Sequence, residues 1–200
     1  MSDQVLTKTQ IEDIFRSITM TILGLPEKDN QNKPINQDKV RVAWSTTGSP
    51  AWKITDDIVF IKVSLSDDPI IQQRDVIYSP ITNTNTSSRI VTYTKCHLIE
   101  WVLYGPCSYD KADLIRNGIF LPQITETLLT NKLALITTVP APRRAPELFN
   151  GQWWERCDLQ ASFNEEVIRT GTGTIGMNDE SLLGPRIQMR PPHPHLTELT

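Results

Sequence analysis

The sequence predicts an α+β fold: a mainly antiparallel, mixed sheet with helices packed on one face. Three observations predict it. Residues 89–104 alternate side-chain character with a strand's period of two over more than a dozen positions. Beyond Tyr104-Gly105-Pro106 the apolar spacing switches to that of an amphipathic helix. Residues 152–167 then return to alternation, with a proline-punctuated loop before them. Elements in that order fill a sheet and one helical layer. No unit of 20–50 residues recurs, so a repeat architecture is excluded.

Composition narrows the function classes. Two hundred residues can bury a sizeable core as one domain with tails. A formal net charge of −3 gives no overall basic footprint for nucleic acid or an anionic membrane. Fourteen Pro against nine Gly point to many loops. Three cysteines without a repeating spacing argue against a disulfide framework. The N-terminus lacks a signal-peptide pattern and no apolar run is long enough to span a bilayer, so the expectation is a soluble, intracellularly made protein.

The first element is a helix. Thr7 or Thr9 can cap it, with Glu12 three residues after Thr9 as a capping box requires. Ile11, Ile14, Phe15, Ile18, Ile22 and Leu25 follow one face, and Gly24 and Pro26 end it. Such a stripe reads first as core packing. Residues 27–38 form a polar loop, Val40–Trp44 a short strand, and residues 46–50 a break. Asp57–Leu65 is a strand whose cleaner apolar face carries Val59, Ile61, Val63 and Leu65. Asp67-Asp68-Pro69 reads as a solvated turn, because no further ligands accompany the two carboxylates.

Residues 73–78 precede a loop-like segment, 82–88, which reads as a hairpin tip; its Asn85-Thr86-Ser87 matches a glycosylation acceptor that means little without secretion. On the long strand, Val91, Tyr93, Lys95, His97, Ile99, Trp101 and Leu103 share one side, and neither side is purely apolar. Such a strand has one end in the core and the other at a subunit contact or an exposed edge. Cys96 and His97, as strand neighbours, point to opposite faces and do not pair.

Ser108 is expected to cap a second helix, with Tyr109, Ala112, Ile115 and Ile119 in a stripe and Asn117-Gly118 as its stop. After Pro122 a third helix runs through Ile124, Leu128 and Leu129, and Leu133–Val139 is a buried strand candidate. Residues 140–151 form the proline loop carrying Arg143 and Arg144. In the last strand Trp153, Glu155, Cys157, Leu159, Ala161 and Phe163 fall on one face, wholly apolar from Cys157 onward. Trp154, Arg156, Asp158, Gln160, Ser162 and Asn164 fall on the other; Trp and Arg are interface-anchor types, so that face is a candidate subunit contact as well as a candidate solvated face.

From Arg169 the chain changes character, and 169–200 is read as an extended tail on a single domain of residues 1–168. Gly171–Gly176 satisfies G-x-G-x-x-G but lacks the following helix of a dinucleotide site. His193-Pro194-His195 lacks the further ligands a metal requires.

The strand from Arg89 into Gly105-Pro106, the helix through Ala112, Ile115, Arg116, Asn117 and Gly118, the loop leading to Leu148-Phe149-Asn150-Gly151-Gln152-Trp153, and Arg156-Cys157-Asp158-Leu159 together carry a family likeness. They resemble the phage neck or tail terminator proteins, most of all the neck terminator group of tailed phages, over roughly residues 5–168. The resemblance implies a tail-terminator-like α+β structural protein of the virion neck or upper tail, made in the host cytoplasm. It implies a homohexameric ring that caps the tail tube, ends its polymerisation and meets head-completion or neck proteins, with the tail sheath as a further contact. DNA would pass through the lumen without specific binding, and no catalysis, cofactor or metal is implied. A ring requires two different patches that meet head to tail. The expected patches are the strand carrying Arg89, Tyr93 and Lys95 and the strand carrying Trp154, Arg156 and Asp158. Two other readings stand beside this one: a head–tail connector adaptor or tail-tube-like protein, and a small hydrolase using Cys107 with His97 or an acid.

Overall fold

The computed structural model describes residues 3, 5–33, 35–42, 52–67, 72–80 and 86–174. The elements are α1 (Lys8–Ile22), β1 (Val40–Arg41), β2 (Ile58–Leu65), β3 (Asp75–Pro80), β4 (Thr86–Tyr104), α2 (Ser108–Gly118), α3 (Pro122–Thr130), β5 (Leu133–Leu135), β6 (Arg143–Arg144), β7 (Glu147–Phe149), β8 (Gln152–Trp154) and β9 (Arg156–Thr174). The fold is the expected α+β one. The main sheet runs β1-β2-β4-β9-β5, with β3 also on β4 and β6 also on β9. Only β1–β2 is parallel.

Two 19-residue strands, β4 and β9, form the spine, antiparallel and in register along their whole length from Thr86↔Thr174 to Tyr104↔Arg156. Their odd-numbered residues build the core under the helices. Ile99, Trp101 and Leu103 from β4 and Cys157, Leu159, Ala161 and Phe163 from β9 meet Ile11, Phe15 and Ile18 of α1 and Ala112 and Ile115 of α2. Each large apolar side chain so enclosed contributes about 1.5–3 kcal/mol. Phe15 is wedged between Phe163 and Trp101, at ring separations of 4.5 and 6.2 Å.

Several local expectations are corrected. The capping box of α1 is Thr7 with Gln10, not Thr9 with Glu12: the Gln10 N–H donates to Thr7 Oγ1 at 3.3 Å and the Thr7 N–H to Gln10 Oε1 at 2.8 Å. Cys107, not Ser108, is the N-cap of α2, and Ser108 is buried in its first turn. The carboxylate of Asp57 takes over part of the capping work, accepting the Cys107 N–H at 2.9 Å and ion-pairing with Lys111 Nζ at 3.0 Å. The β2 face expected to be apolar is buried only at Val59 and Ile61, while Leu65 is exposed. Leu129 on α3 is also exposed, and the strand expected over 133–139 is limited to β5. The short β1 ends at Arg41, with Val42 in a bend; Ala43-Trp44, Asp68-Pro69 of the acidic turn, Asn85 and His193–His195 lie outside the described residues.

Of the hairpin tip expected at 82–88, residues 86–88 belong to β4, and 82–85 lie outside the described residues. Within the proline loop, residues form β6 and β7. Asn150 and Gly151, with φ of 48° and 73°, turn β7 into β8, a two-residue turn matched to strand twist. At the other end, β9 continues past Ile168 to Thr174, so Gly171 and Gly173 are strand residues in the sheet, not the start of the tail.

Candidate assembly surfaces

Among the described residues, the face of the sheet away from the helices carries an apolar cluster at one end. There Ile58, Phe60, Val102, Tyr104 and Trp154 form a second apolar cluster, with Trp52, Ile54 and Phe149 packed against it. Trp154 belongs to it because β8 pairs with β7 and not with β9. The strand is interrupted at Glu155, and the β7–β8 hairpin folds its Phe149 and Trp154 side onto the sheet. The expectation of an outward Trp154 is therefore corrected: it is 9% exposed, whereas Trp153 on the hairpin's other side is 66% exposed. Trp153 is the strand partner of Leu148, which is exposed too.

Polar groups frame this cluster. The Tyr104 hydroxyl donates to Glu147 Oε2 at 2.7 Å. Burial first, and that bond to a carboxylate second, push the phenol up to about 12, with Arg156 pulling the other way. Arg156 grips Asp158 through Nε at 2.8 Å and its terminal nitrogen at 3.1 Å, and reaches Glu147 at 3.3 Å. Beside them Lys62 and Glu100 pair at 2.7 Å. Lys62, Glu100, Arg143, Arg156, Asp158 and Gln160 line an open groove of about 370 Å³. Two of its cations are paired, Lys62 with Glu100 and Arg156 with Asp158, and Arg143 adds a third positive charge.

The far halves of β4 and β9 project as a ribbon. β3 extends it on the β4 side, and Val76, Ile77 and Tyr78 of β3 are all exposed. Arg74 lies 3.9 Å over the Tyr93 ring, and the Tyr93 hydroxyl accepts from Arg169 Nε at 3.1 Å. Where the ribbon meets the core, Glu165 is buried: His97 Nε2 lies 2.7 Å from it, the Leu6 N–H donates to it at 2.7 Å, and Lys95 Nζ is 3.7 Å away. Burial alone would raise this carboxyl, but those three partners outweigh it and hold it below the ordinary value.

The six expected interface residues thus occupy two separate places. Arg89, Tyr93 and Lys95 follow one another on the helix-side face of β4, with Arg89 exposed on the ribbon. Trp154, Arg156 and Asp158 sit at the opposite end, on the other face of the sheet. Eleven residues of β4 separate Tyr93 from Tyr104, about 36 Å at a strand's rise. Sequence reasoning missed the exposed β3 residues and the Leu148–Trp153 pair. Val76-Ile77-Tyr78 is a consecutive apolar run, and nothing local showed that all three side chains stay exposed.

Cys107 and His97 are not brought together. His97 is tied to Glu165, while Cys107 follows the end of β4 seven strand residues away, about 23 Å. Cys96 and Cys157 are buried, and burial pushes the Cys157 thiol up, away from the reactive thiolate. Gly171–Thr174, being strand, provide no phosphate-binding helix start. Among the described residues no helix is long and apolar enough to cross a membrane.

A family model described as phage neck terminator protein matches residues 9–181. No curated protein matches the chain.

Proposed function

This chain belongs to the phage neck terminator protein family, a family of structural virion proteins, and we propose that it forms a homohexameric ring on the end of the tail tube. The ring stops tube polymerisation and presents its upper face to head-completion proteins, with the sheath as a further neighbour. The observation that carries this reading is the family match over residues 9–181. Two surfaces far apart on one subunit support it, since a ring needs a heterologous contact. One is the ribbon with Arg89, Tyr93 and Lys95; the other is the end with Arg156 and Asp158, underlain by Trp154. DNA passes through the lumen without being gripped, in keeping with a net charge of −3. The role is structural and uses no cofactor.

Native mass spectrometry with negative-stain imaging, at low and high concentration and with tube fragments added, tests this. A closed ring of six is expected. Long tubes would instead identify a tube protein, and a monomer that stays free of the tube ends would overturn the ring. If Arg156→Ala combined with Asp158→Ala left ring assembly intact, that patch would be misplaced.

A further inference from the structure

We infer that neighbouring subunits join edge to edge through the ribbon, β3 of one copy adding as a parallel strand to the outer edge of β9 of the next. This rests on the ring reading above and places the strand-to-strand contact on the ribbon's two edges, in place of one between the ribbon and the Arg156–Asp158 end.

Across the ribbon, Ile77, Ile90 and Thr170 lie level, as do Tyr78, Arg89 and Gly171. β3 and β9 are both antiparallel to β4, so they run parallel to each other on opposite sides of it. Among the described residues, β3 pairs with β4 alone, and no strand pairs with β9 beyond Glu165 on the side away from β4. The ribbon thus has two unlike edges facing opposite ways. A second copy turned about an axis along the strands brings its β3 beside this β9 with direction and pleat preserved, and the same step repeats until the ring closes.

The two edges also fit in chemistry. β3 offers Val76, Ile77 and Tyr78, all exposed. The β9 edge offers Thr170 and Gly171, and nothing lies within 4 Å of where a Cβ on Gly171 would stand. Tyr78 of the neighbour has room there, and Ile77 meets Thr170 on the opposite face of the pleat. An open edge of β-branched and aromatic residues ordinarily invites uncontrolled pairing. Here Asp3 covers part of the β9 edge: its Oδ1 accepts the Thr170 N–H at 2.9 Å, and its carboxylate lies 3.7 Å from Arg169. In the lone subunit, Asp3 holds a hydrogen-bonding position that the neighbour's β3 backbone takes over in the ring.

The test uses full-length protein in a Cys107→Ser background. Ile77→Cys is combined in turn with Ile168→Cys, Thr170→Cys or Thr172→Cys, three registers that keep the same face. Adjacent strands bring such pairs within disulfide reach. Mild oxidation of the assembled ring is expected to give a covalent ladder up to the full ring in one register, with Ile77→Cys alone giving none. A ring intact by native mass spectrometry with no ladder in any register would overturn the edge contact and leave the ring standing. Failure to form a ring at all would overturn both.

Discussion

His97 Nε2 and Glu165 Oε2 lie 2.7 Å apart, with both side chains buried beneath the start of α1. Glu165 follows Phe163, the last β9 residue of the main core cluster, on the same face of the strand. It also receives the Leu6 N–H, so a single carboxylate ties β4, β9 and the entry to α1 together. Because its folded-state carboxyl lies below the ordinary value of 4.5, the ionised form adds stability above that value. That contribution is lost as pH falls through the lowered folded value. Glu165→Gln should lower stability at neutral pH by about 3 kcal/mol, the cost of breaking a buried pair, and so lower the Tm. It should also flatten the loss of stability between the ordinary carboxylate value and more acidic pH. Thermal melts of both proteins across that range check this; parallel curves would show that Glu165 does not titrate with folding.

Trp101 donates its indole N–H to Thr19 Oγ1 at 2.9 Å, and that hydroxyl donates in turn to the Phe15 carbonyl at 2.7 Å. All three residues are buried. Thr19→Val keeps the shape but leaves the Trp101 N–H without its acceptor, which should cost about 1–3 kcal/mol. Denaturant titration reads the change as a lower midpoint at unchanged slope.

Gly105 closes β4 at φ +111°, and a Cβ there would stand 2.4 Å from Asp57 Oδ1 and 2.6 Å from the Asp56 carbonyl oxygen. Gly105→Ala therefore combines backbone strain with a clash against the segment that caps α2. A loss of about 2–4 kcal/mol is expected. The same change at Gly151, whose φ is +73° in open space, should cost less, since only the strain applies. Equal melting temperatures for the two variants would contradict this account.

Adjacent tryptophans should behave oppositely. Trp154→Ala empties the second apolar cluster and should cost about 3–5 kcal/mol. Trp153→Ala should change stability by no more than about 0.5 kcal/mol. Thermal melts of the single variants distinguish them, and a strongly destabilised Trp153→Ala would mean that the hairpin packs the other way round.

The sequence by itself determined the α+β class, the two long alternating strands, the hinge at Gly105-Pro106 and the inward set Cys157, Leu159, Ala161 and Phe163. These are local properties: period two against period 3.6 is written in neighbouring residues. It also showed that neither face of β4 is purely apolar. What covers each face was decided only by tertiary structure. Trp154 is buried because a hairpin turning at Asn150-Gly151 folds onto the sheet, and β9 reaches Thr174 because β4 extends far enough to pair with glycines and threonines that look like tail. Gln10 rather than Glu12 completes the first cap because the chain enters α1 at Thr7, where Glu165 holds the preceding Leu6. Alternation fixes that a strand has two faces; the partner that dries one of them comes from residues distant in the chain, which no local pattern encodes.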